Sequence, residues 1–155
     1  LIRRAQALME AAGDDGDFDA LCQQPHRYQA TLRTCFTLEN FDNLIKNGRM
    51  RPIVGTLLRS LGIHIIADAT AEGTIHVADK ARGVGKTYRA ITALMKASKD
   101  CTDAEVVISH CENLEGAMAL KRQILADLPV KQVDLLSCRG LTSFYAMEKG
   151  LIVGY

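Results

Sequence analysis

The sequence lacks a long apolar run, a strong excess of either charge, and an abundance of aromatic residues. No stretch approaches the roughly 18 apolar residues that a membrane-spanning helix requires, so we expect no membrane span. The net charge is +1 and aromatic residues make up 5% of the chain, whereas nucleic-acid-binding modules usually combine a basic face with aromatic side chains. These absences predict a protein that neither crosses a membrane nor binds nucleic acid.

The sequence also has no C-x-x-C pair, and its five cysteines are scattered at Cys22, Cys35, Cys101, Cys111 and Cys138. An odd number of widely spaced cysteines indicates neither a disulfide framework nor a zinc site. We therefore expect free thiols, no bound metal or cofactor, and a reduced, cytoplasmic compartment. The chain begins without methionine or a signal peptide, and we expect it to be a segment of a longer protein.

Length and patterning favour a single α/β domain. At 155 residues and 48% hydrophobic composition, the chain can bury a substantial core. Alternating and β-branched runs predict strands near residues 31–37, 63–69, 74–78, 105–110, 132–137 and 151–155. The runs at 63–69 and 74–78 predict an antiparallel hairpin. The run at 105–110 and the helix after it predict a parallel crossover. We predict an α/β fold of two layers, a mixed sheet of about six strands, and helices mainly on one face.

Apolar residues at helical spacing predict the helices that connect these strands. Two helices occupy residues 1–29, the first ending at Gly13 and the second at Pro25. An apolar helix follows Pro52, another runs from an Asn113 cap to Pro129, and a short one covers residues 141–149. We interpret residues 1–29 as connector helices between domains and residues 30–155 as the folded domain.

The segment 36–49 reads as an amphipathic helix around which the rest of the chain is organised. Thr37 is placed to cap its start, and Gly48 can end it in the left-handed conformation. Arg49 would then lie on a fixed corner just past the helix. Two interpretations of Arg49 stay open: a solvated arginine at a helix end, or an arginine aimed at a carboxylate or phosphate.

The segment R-G-V-G-K-T at 82–87 matches the end of a phosphate-binding P-loop. The full pattern needs a glycine five residues before Gly85, where this sequence has Lys80. It also needs a buried strand that leads directly into the loop, whereas D-K-A-R at 79–82 is polar. We therefore predict that the glycines start a helix and do not bind ATP.

A polar triplet, Ser109-His110-Cys111, ends the predicted strand 105–110. Adjacent residues of a strand point to opposite faces, and no neighbouring residue is placed to orient the histidine. We expect a polar strand end here, not a Cys–His catalytic pair, and we predict no catalytic residue in the chain.

Four segments, in their order and spacing, resemble the C-terminal domain of the DegV family of bacterial fatty-acid-binding proteins. They read F-T-L-E-N-F-D-N-L-I-K-N-G-R-M at 36–50, D-K-A-R-G at 79–83, V-I-S-H-C-E-N-L-E-G-A at 107–117, and R-G-L-T-S-F-Y-A with K-G-L-I-V-G-Y within 139–155. The resemblance covers the chain from about residue 30. It implies that residues 1–24 are the family's interdomain connector and that the N-terminal domain is missing.

The resemblance also implies which residues contact the ligand. Arg49 matches the family's arginine after the glycine, which is associated with the fatty-acid carboxylate and with the encounter with a kinase. Arg82 falls in the family's basic segment near the same rim. Many members carry a histidine before a G-P-G turn near the C-terminus, whereas this sequence reads S-C-R-G-L-T. Cys138, Arg139 and Thr142 of this turn are therefore the further candidates for ligand contact.

The leading functional hypothesis is a carrier domain that binds a long-chain fatty acid and presents it to a fatty-acid kinase for phospholipid synthesis, with no chemistry of its own. Its expected partners are the fatty acid, the kinase and the N-terminal domain of the same protein. Two alternatives stay open: a small-molecule transferase or kinase-like enzyme that uses the G-V-G-K-T loop, and a regulatory interaction module.

Overall fold

The computed structural model describes residues 2–13, 17–50, 62–70 and 72–155. The chain divides into two compact units, Leu1–Leu32 and Arg33–Tyr155. Within the described residues, no helix has both the length and the apolar character that crossing a membrane requires. The predicted helix after Pro52 lies outside the described residues.

The first unit consists of helices α1 (Ile2–Ala12) and α2 (Phe18–Thr31). A carboxylate oxygen of Asp17 caps α2 by accepting the N–H of Asp19 at 3.0 Å. The prediction that Pro25 ends this helix is wrong, because α2 continues to Thr31. Pro25 has no N–H to donate to the helix, and its ring lines, with Leu21, an apolar groove between α1 and α2.

The second unit is built on one sheet of six strands in the order β3-β2-β1-β6-β4-β5. The strands are β1 (Thr34–Leu38), β2 (Ile63–Ala69), β3 (Ile75–Arg82), β4 (Glu105–His110), β5 (Gln132–Ser137) and β6 (Leu151–Gly154). The pairs β3–β2, β2–β1, β1–β6 and β6–β4 are antiparallel, and β4–β5 is parallel. The predicted mixed sheet, its hairpin and its parallel crossover are confirmed.

Among its described residues, this unit has four helices beside the sheet: α3 (Asp42–Lys46), α4 (Val84–Ser98), α5 (Leu114–Asp127) and α6 (Gly140–Ala146). The long helices α4 and α5 cover one face, here called the α4–α5 face, where Ile66, Ile91, Ile108 and Leu120 are fully buried. The short helices α3 and α6 lie on the opposite face, the α3–α6 face. The predicted α/β class is confirmed, with the two long helices on one face.

Several predicted boundaries are wrong, above all at β1. Thr37 does not cap a helix, because it belongs to β1 and pairs with Ile66 on one side and Leu151 on the other. Pairing on both sides outweighs the helical spacing of the apolar residues. The helix that follows is therefore shorter than predicted, and its first turn is closed by Asn40, whose side-chain oxygen accepts the N–H of Asp42 at 2.8 Å.

The strand β3 and the helix α6 also differ from the predictions in length. β3 continues through the polar residues 79–82 and leads directly into Gly83, because an edge strand tolerates charged side chains. The predicted helix 141–149 ends at Ala146, since Met147 and Lys149 adopt positive φ angles of 54° and 65°. The Asn113 cap is confirmed by its side-chain oxygen, which accepts the N–H of Gly116 at 3.1 Å.

Ile108→Ala removes a fully buried side chain from the α4–α5 face and leaves a cavity. We expect the free energy of unfolding to fall by about 2–5 kcal/mol. The matched control is Leu125→Ala, at a position of α5 that is 48% exposed, which should change it by less than about 1 kcal/mol. Chemical denaturation of both variants makes the comparison, and equal losses would contradict the assigned burial.

Two buried acids make stability sensitive to alkaline pH. Burial raises the pKa of Tyr155 to about 12, and burial followed by the Asp68 carboxylate raises the pKa of Cys35 to about 12. Both groups are neutral in the folded protein, so their stabilisation is complete below their ordinary pKa values and is lost as the pH rises toward 12.

Tyr155→Phe should make this alkaline loss of stability shallower, because the variant has one fewer group to ionise. The hydroxyl oxygens of Tyr155 and Ser98 lie 2.7 Å apart, so the variant also loses a hydrogen bond worth about 0.5–1.5 kcal/mol at neutral pH. Urea unfolding of both proteins across the alkaline range measures the two slopes. Parallel slopes would exclude Tyr155 as a source of the effect.

Candidate functional site

The corner after α3 is held by a Schellman motif. The N–H of Gly48 donates to the carbonyl of Ile45 at 3.0 Å, and the N–H of Arg49 donates to the carbonyl of Leu44 at 2.7 Å. Gly48 has a φ of +68°, so the predicted left-handed stop is confirmed. Leu44 is buried in the core, which anchors the corner, while the side chain of Arg49 is exposed.

The α3–α6 face is apolar, and the described residues cover it incompletely. Its buried centre comprises Leu38, Phe41, Leu44, Ile65, Ala67 and Ala146. Around this centre lie half-buried side chains: Phe36, Ile45, Met50, Ile63, Ile75, Val77, Cys111, Cys138, Tyr145 and Ile152. On α6, Leu141 is 71% exposed and Phe144 is 46% exposed. This surface leaves apolar area open for a further apolar group to cover.

α3 and α6 are joined directly on this face. The side-chain N–H of Asn43 donates to the carbonyl of Phe144 at 2.6 Å. The exposed ring of Phe144 contacts the ring of Tyr145 edge to face, with 5.1 Å between ring centroids. The corner that carries Arg49 and the exposed apolar residues of α6 are therefore parts of one connected surface.

Arg82 is the last residue of β3 and pairs with Ile63 of β2. Directly opposed residues of neighbouring strands point to the same face, and Ile63 packs against the cluster of the α3–α6 face. The exposed side chain of Arg82 therefore lies on the same face as the α3 corner. Arg49 is exposed and follows a helix that packs on this face, and Arg82 is exposed at the end of a strand of the sheet.

Cys138, Arg139 and Thr142 lie where β5 leads into α6. Cys138 is half-buried against the cluster, and burial raises the pKa of its thiol, with the neighbouring Cys111 as a second cause. A thiol that stays neutral cannot supply the positive charge of a histidine. Arg139 precedes the first turn of α6, and its carbonyl accepts the N–H of Thr142 at 3.2 Å; both side chains are exposed.

Two features of this face were not predicted as part of the site. Cys111 was treated as the end of a strand, but its side chain joins the cluster. Leu141 and Phe144 were treated as ordinary helix residues, although their exposure marks an uncovered surface. The apolar spacing of L-x-x-F-Y in a helix that starts after an exposed turn is the signal that could have indicated them.

A separate cleft of about 270 Å³ opens on the α4–α5 face, where both long helices begin. Tyr88 and Glu115 contribute to its walls, and Lys149 pairs with Glu39 at its edge, with 3.7 Å between ammonium and carboxylate. Burial raises the pKa of Tyr88, with Glu115 and Glu39 as lesser causes. None of the five predicted site residues lines this cleft, although Leu38 of the α3–α6 cluster does.

The chain is similar to a known family of proteins. A family model described as "Uncharacterised protein, DegV family" matches residues 3–151. A DegV domain-containing protein of Streptococcus gordonii is 31% identical over 151 residues, which cover 97% of this chain and 53% of that protein. The chain thus spans about half the length of the curated relatives that it matches.

Solved structures of other proteins also superpose on this chain. A DegV family protein from Eubacterium eligens, loaded with heptadecanoic acid, superposes with a TM-score of 0.88 and 25% identity over 99% of this chain and 54% of that one. The Streptococcus pneumoniae Fatty Acid Kinase (Fak) B3 protein, loaded with linoleic acid, superposes with a TM-score of 0.83 and 30% identity over 97% of this chain and 53% of that one.

Gly48→Ala tests whether the α3 corner depends on the left-handed conformation. Added methyl groups meet no atom within 4 Å at either Gly48 or Gly85, so steric clash does not separate the two sites. At Gly48 the φ of +68° should cost alanine about 1–2 kcal/mol of folding free energy. At Gly85, in the first turn of α4, alanine should stabilise by about 0.5–1 kcal/mol.

Thermal and urea unfolding of the two alanine variants provide the measurement. Opposite signs of the change in stability support the corner as described. A Gly48→Ala protein at least as stable as the unsubstituted protein would contradict it.

Proposed function

The chain belongs to the DegV family, and we propose that it forms half of a carrier that binds a long-chain fatty acid on its α3–α6 face. The observation that carries this proposal is the apolar surface of that face, which the described residues cover incompletely. Arg49 and Arg82 are the exposed positive charges that we assign to it. Relatives loaded with heptadecanoic and linoleic acid support the class of ligand.

The acyl chain would be held by burial of apolar surface. Each CH₂ group that leaves water contributes about 0.8 kcal/mol. Phe36, Ile63 and Ile152 are only half-buried, so an acyl chain packed on them removes apolar area from both partners. Because every methylene adds a similar increment, this interaction provides affinity for long chains but gives the ligand no fixed orientation.

The carboxylate would fix that orientation, because a carboxylate leaving water needs a cationic partner. Arg49 suits this role, since a guanidinium pairs with a carboxylate through two hydrogen bonds and its backbone is fixed by the Schellman motif. Arg82 supplies a second positive charge on the same face. Cys138, as a neutral thiol, would line the site, and Arg139 and Thr142 would contact the ligand from the start of α6.

We propose two protein partners. The first is the N-terminal domain of the same protein, which would cover the α3–α6 face and complete the site; the coverage of about half of each relative supports this. The second is a cytoplasmic fatty-acid kinase, a partner suggested by the name of the Streptococcus pneumoniae relative. The chain itself would act as carrier, and the kinase would carry out the chemical step.

Arg49→Ala in the full-length protein should weaken fatty-acid binding or transfer to the kinase by about ten- to a hundredfold, since a charge-assisted contact contributes about 1.5–3 kcal/mol. Arg49→Lys should restore only part of the loss, because an ammonium cannot form the two-pronged pair. The free energy of unfolding should change by less than about 0.5 kcal/mol, because the side chain is exposed. Fatty-acid titration and acyl-phosphate formation with the kinase give the readouts.

The matched control is Lys46→Ala, which removes an exposed positive charge from the last turn of α3, before the corner. It should leave binding and transfer unchanged. Unaltered transfer by a folded Arg49→Ala protein would return Arg49 to a solvated helix-end arginine, and the assignment of the carboxylate site would fall with it.

A further inference from the structure

Two cysteines from distant parts of the sequence follow the carboxyl ends of β4 and β5. The last register pair of these parallel strands is His110 with Ser137. The N–H of Cys138 donates to the carbonyl of His110 at 2.8 Å, which closes the last step of this ladder. Cys111 and Cys138 are the residues that directly follow the paired His110 and Ser137.

Both cysteine side chains belong to the α3–α6 face. Along β4, Val106, Ile108 and His110 are buried toward α4 and α5, so the alternation of a strand directs Cys111 to the opposite side. Cys111 and Cys138 are each half-buried against the cluster of the α3–α6 face. Their proximity also has an electrostatic effect, since Cys111 adds to the rise in the pKa of Cys138.

This arrangement suits a disulfide. Neighbouring strands lie about 4.8 Å apart, and disulfides join residues whose Cα atoms are about 4.4–6.8 Å apart. Cys35 and Cys101 are buried in the cluster of the α4–α5 face, on the other side of the sheet. Among the described cysteines of the second unit, Cys111 and Cys138 are the two that lie on the α3–α6 face.

We propose that Cys111 and Cys138 form a reversible disulfide on reaction with a hydroperoxide, which makes them a modification site within the face that binds the fatty acid. One thiol attacks the hydroperoxide, whose O–O bond breaks, giving a sulfenic acid and water or an alcohol. The second thiol attacks the sulfenic sulfur, the S–O bond breaks, and water leaves as the S–S bond forms. The two thiols together lose two electrons and two protons, which the hydroperoxide gains.

The disulfide would restrain α6. Cys111 is anchored, because its N–H donates to the carbonyl of Gly150 at 3.0 Å and its carbonyl accepts the N–H of Lys149 at 2.9 Å. Cys138 precedes α6 by two residues, so the bond ties the start of that helix to the end of β4. This consequence rests on the proposed function: with α6 restrained, a bound fatty acid leaves the α3–α6 face more slowly.

Treatment of the full-length protein with hydrogen peroxide, followed by thiol alkylation and peptide mass spectrometry, tests the proposal. We expect the loss of two free thiols, a mass decrease of two hydrogens, and a linked peptide pair containing Cys111 and Cys138 that dithiothreitol separates. The rate of disulfide formation should rise with pH, because the thiolate is the nucleophile and the pKa of Cys138 is raised. Stopped-flow displacement of a fluorescent fatty acid measures the dissociation rate in both states.

Cys111→Ser and Cys138→Ser should each abolish the link, whereas Cys22→Ser, at an exposed cysteine of α2, should leave it intact. Melting curves establish that each variant is folded, and Cys138→Ala replaces Cys138→Ser if the latter is not. Absence of the link, or its persistence in Cys138→Ser, would overturn the proposal. A link that leaves fatty-acid dissociation unchanged would overturn the restraint of α6. Mass spectrometry detects the disulfide without fatty acid. Formation of the disulfide is therefore judged independently of the proposed carrier function.

Discussion

The alternation of apolar side chains along the central strands is the constraint on which the rest of the structure depends. Ile65 and Ile66 are adjacent in β2, point to opposite faces of the sheet, and are both almost fully buried. Both faces must therefore be covered. Within the part of the chain that the structure describes, the two long helices cover one face closely, whereas two short helices cover only part of the other. The function proposed above uses the less protected side for the ligand and for a second domain.

On the less protected face, the apolar residues and the charged residues have different proposed roles. In the proposed carrier, burial would hold the acyl chain without fixing its direction, and the charged side chains would fix the direction with little burial. The α3 corner would serve the second role because its geometry is set by the backbone: Leu44 is buried and its carbonyl accepts the N–H of Arg49 at 2.7 Å. An arginine on such a corner loses less conformational freedom on pairing than one on an unrestrained loop.

The strands with unambiguous patterns could be predicted from the sequence, and the elements decided by long-range contacts could not. Residues 63–69, 105–110 and 132–137 are strands as predicted, because turn residues and β-branched runs delimit them locally. Around Phe36 and Leu38 the spacing suits either a strand or a helix, and pairing with β2 and β6 decides for the strand. Likewise, the corner at Arg49 could be placed from its neighbouring glycine, whereas the face on which Arg82 lies depends on sheet register.

The position of β6 has a consequence for how the protein is made. This strand, Leu151–Gly154, lies in the interior of the sheet and pairs with β1 on one side and β4 on the other. Until it leaves the ribosome, β1 and β4 each have one edge without a partner. At roughly 5–20 residues per second, β1 waits on the order of ten seconds after its own synthesis. The sheet therefore cannot close progressively during translation but closes when its last strand inserts between β1 and β4.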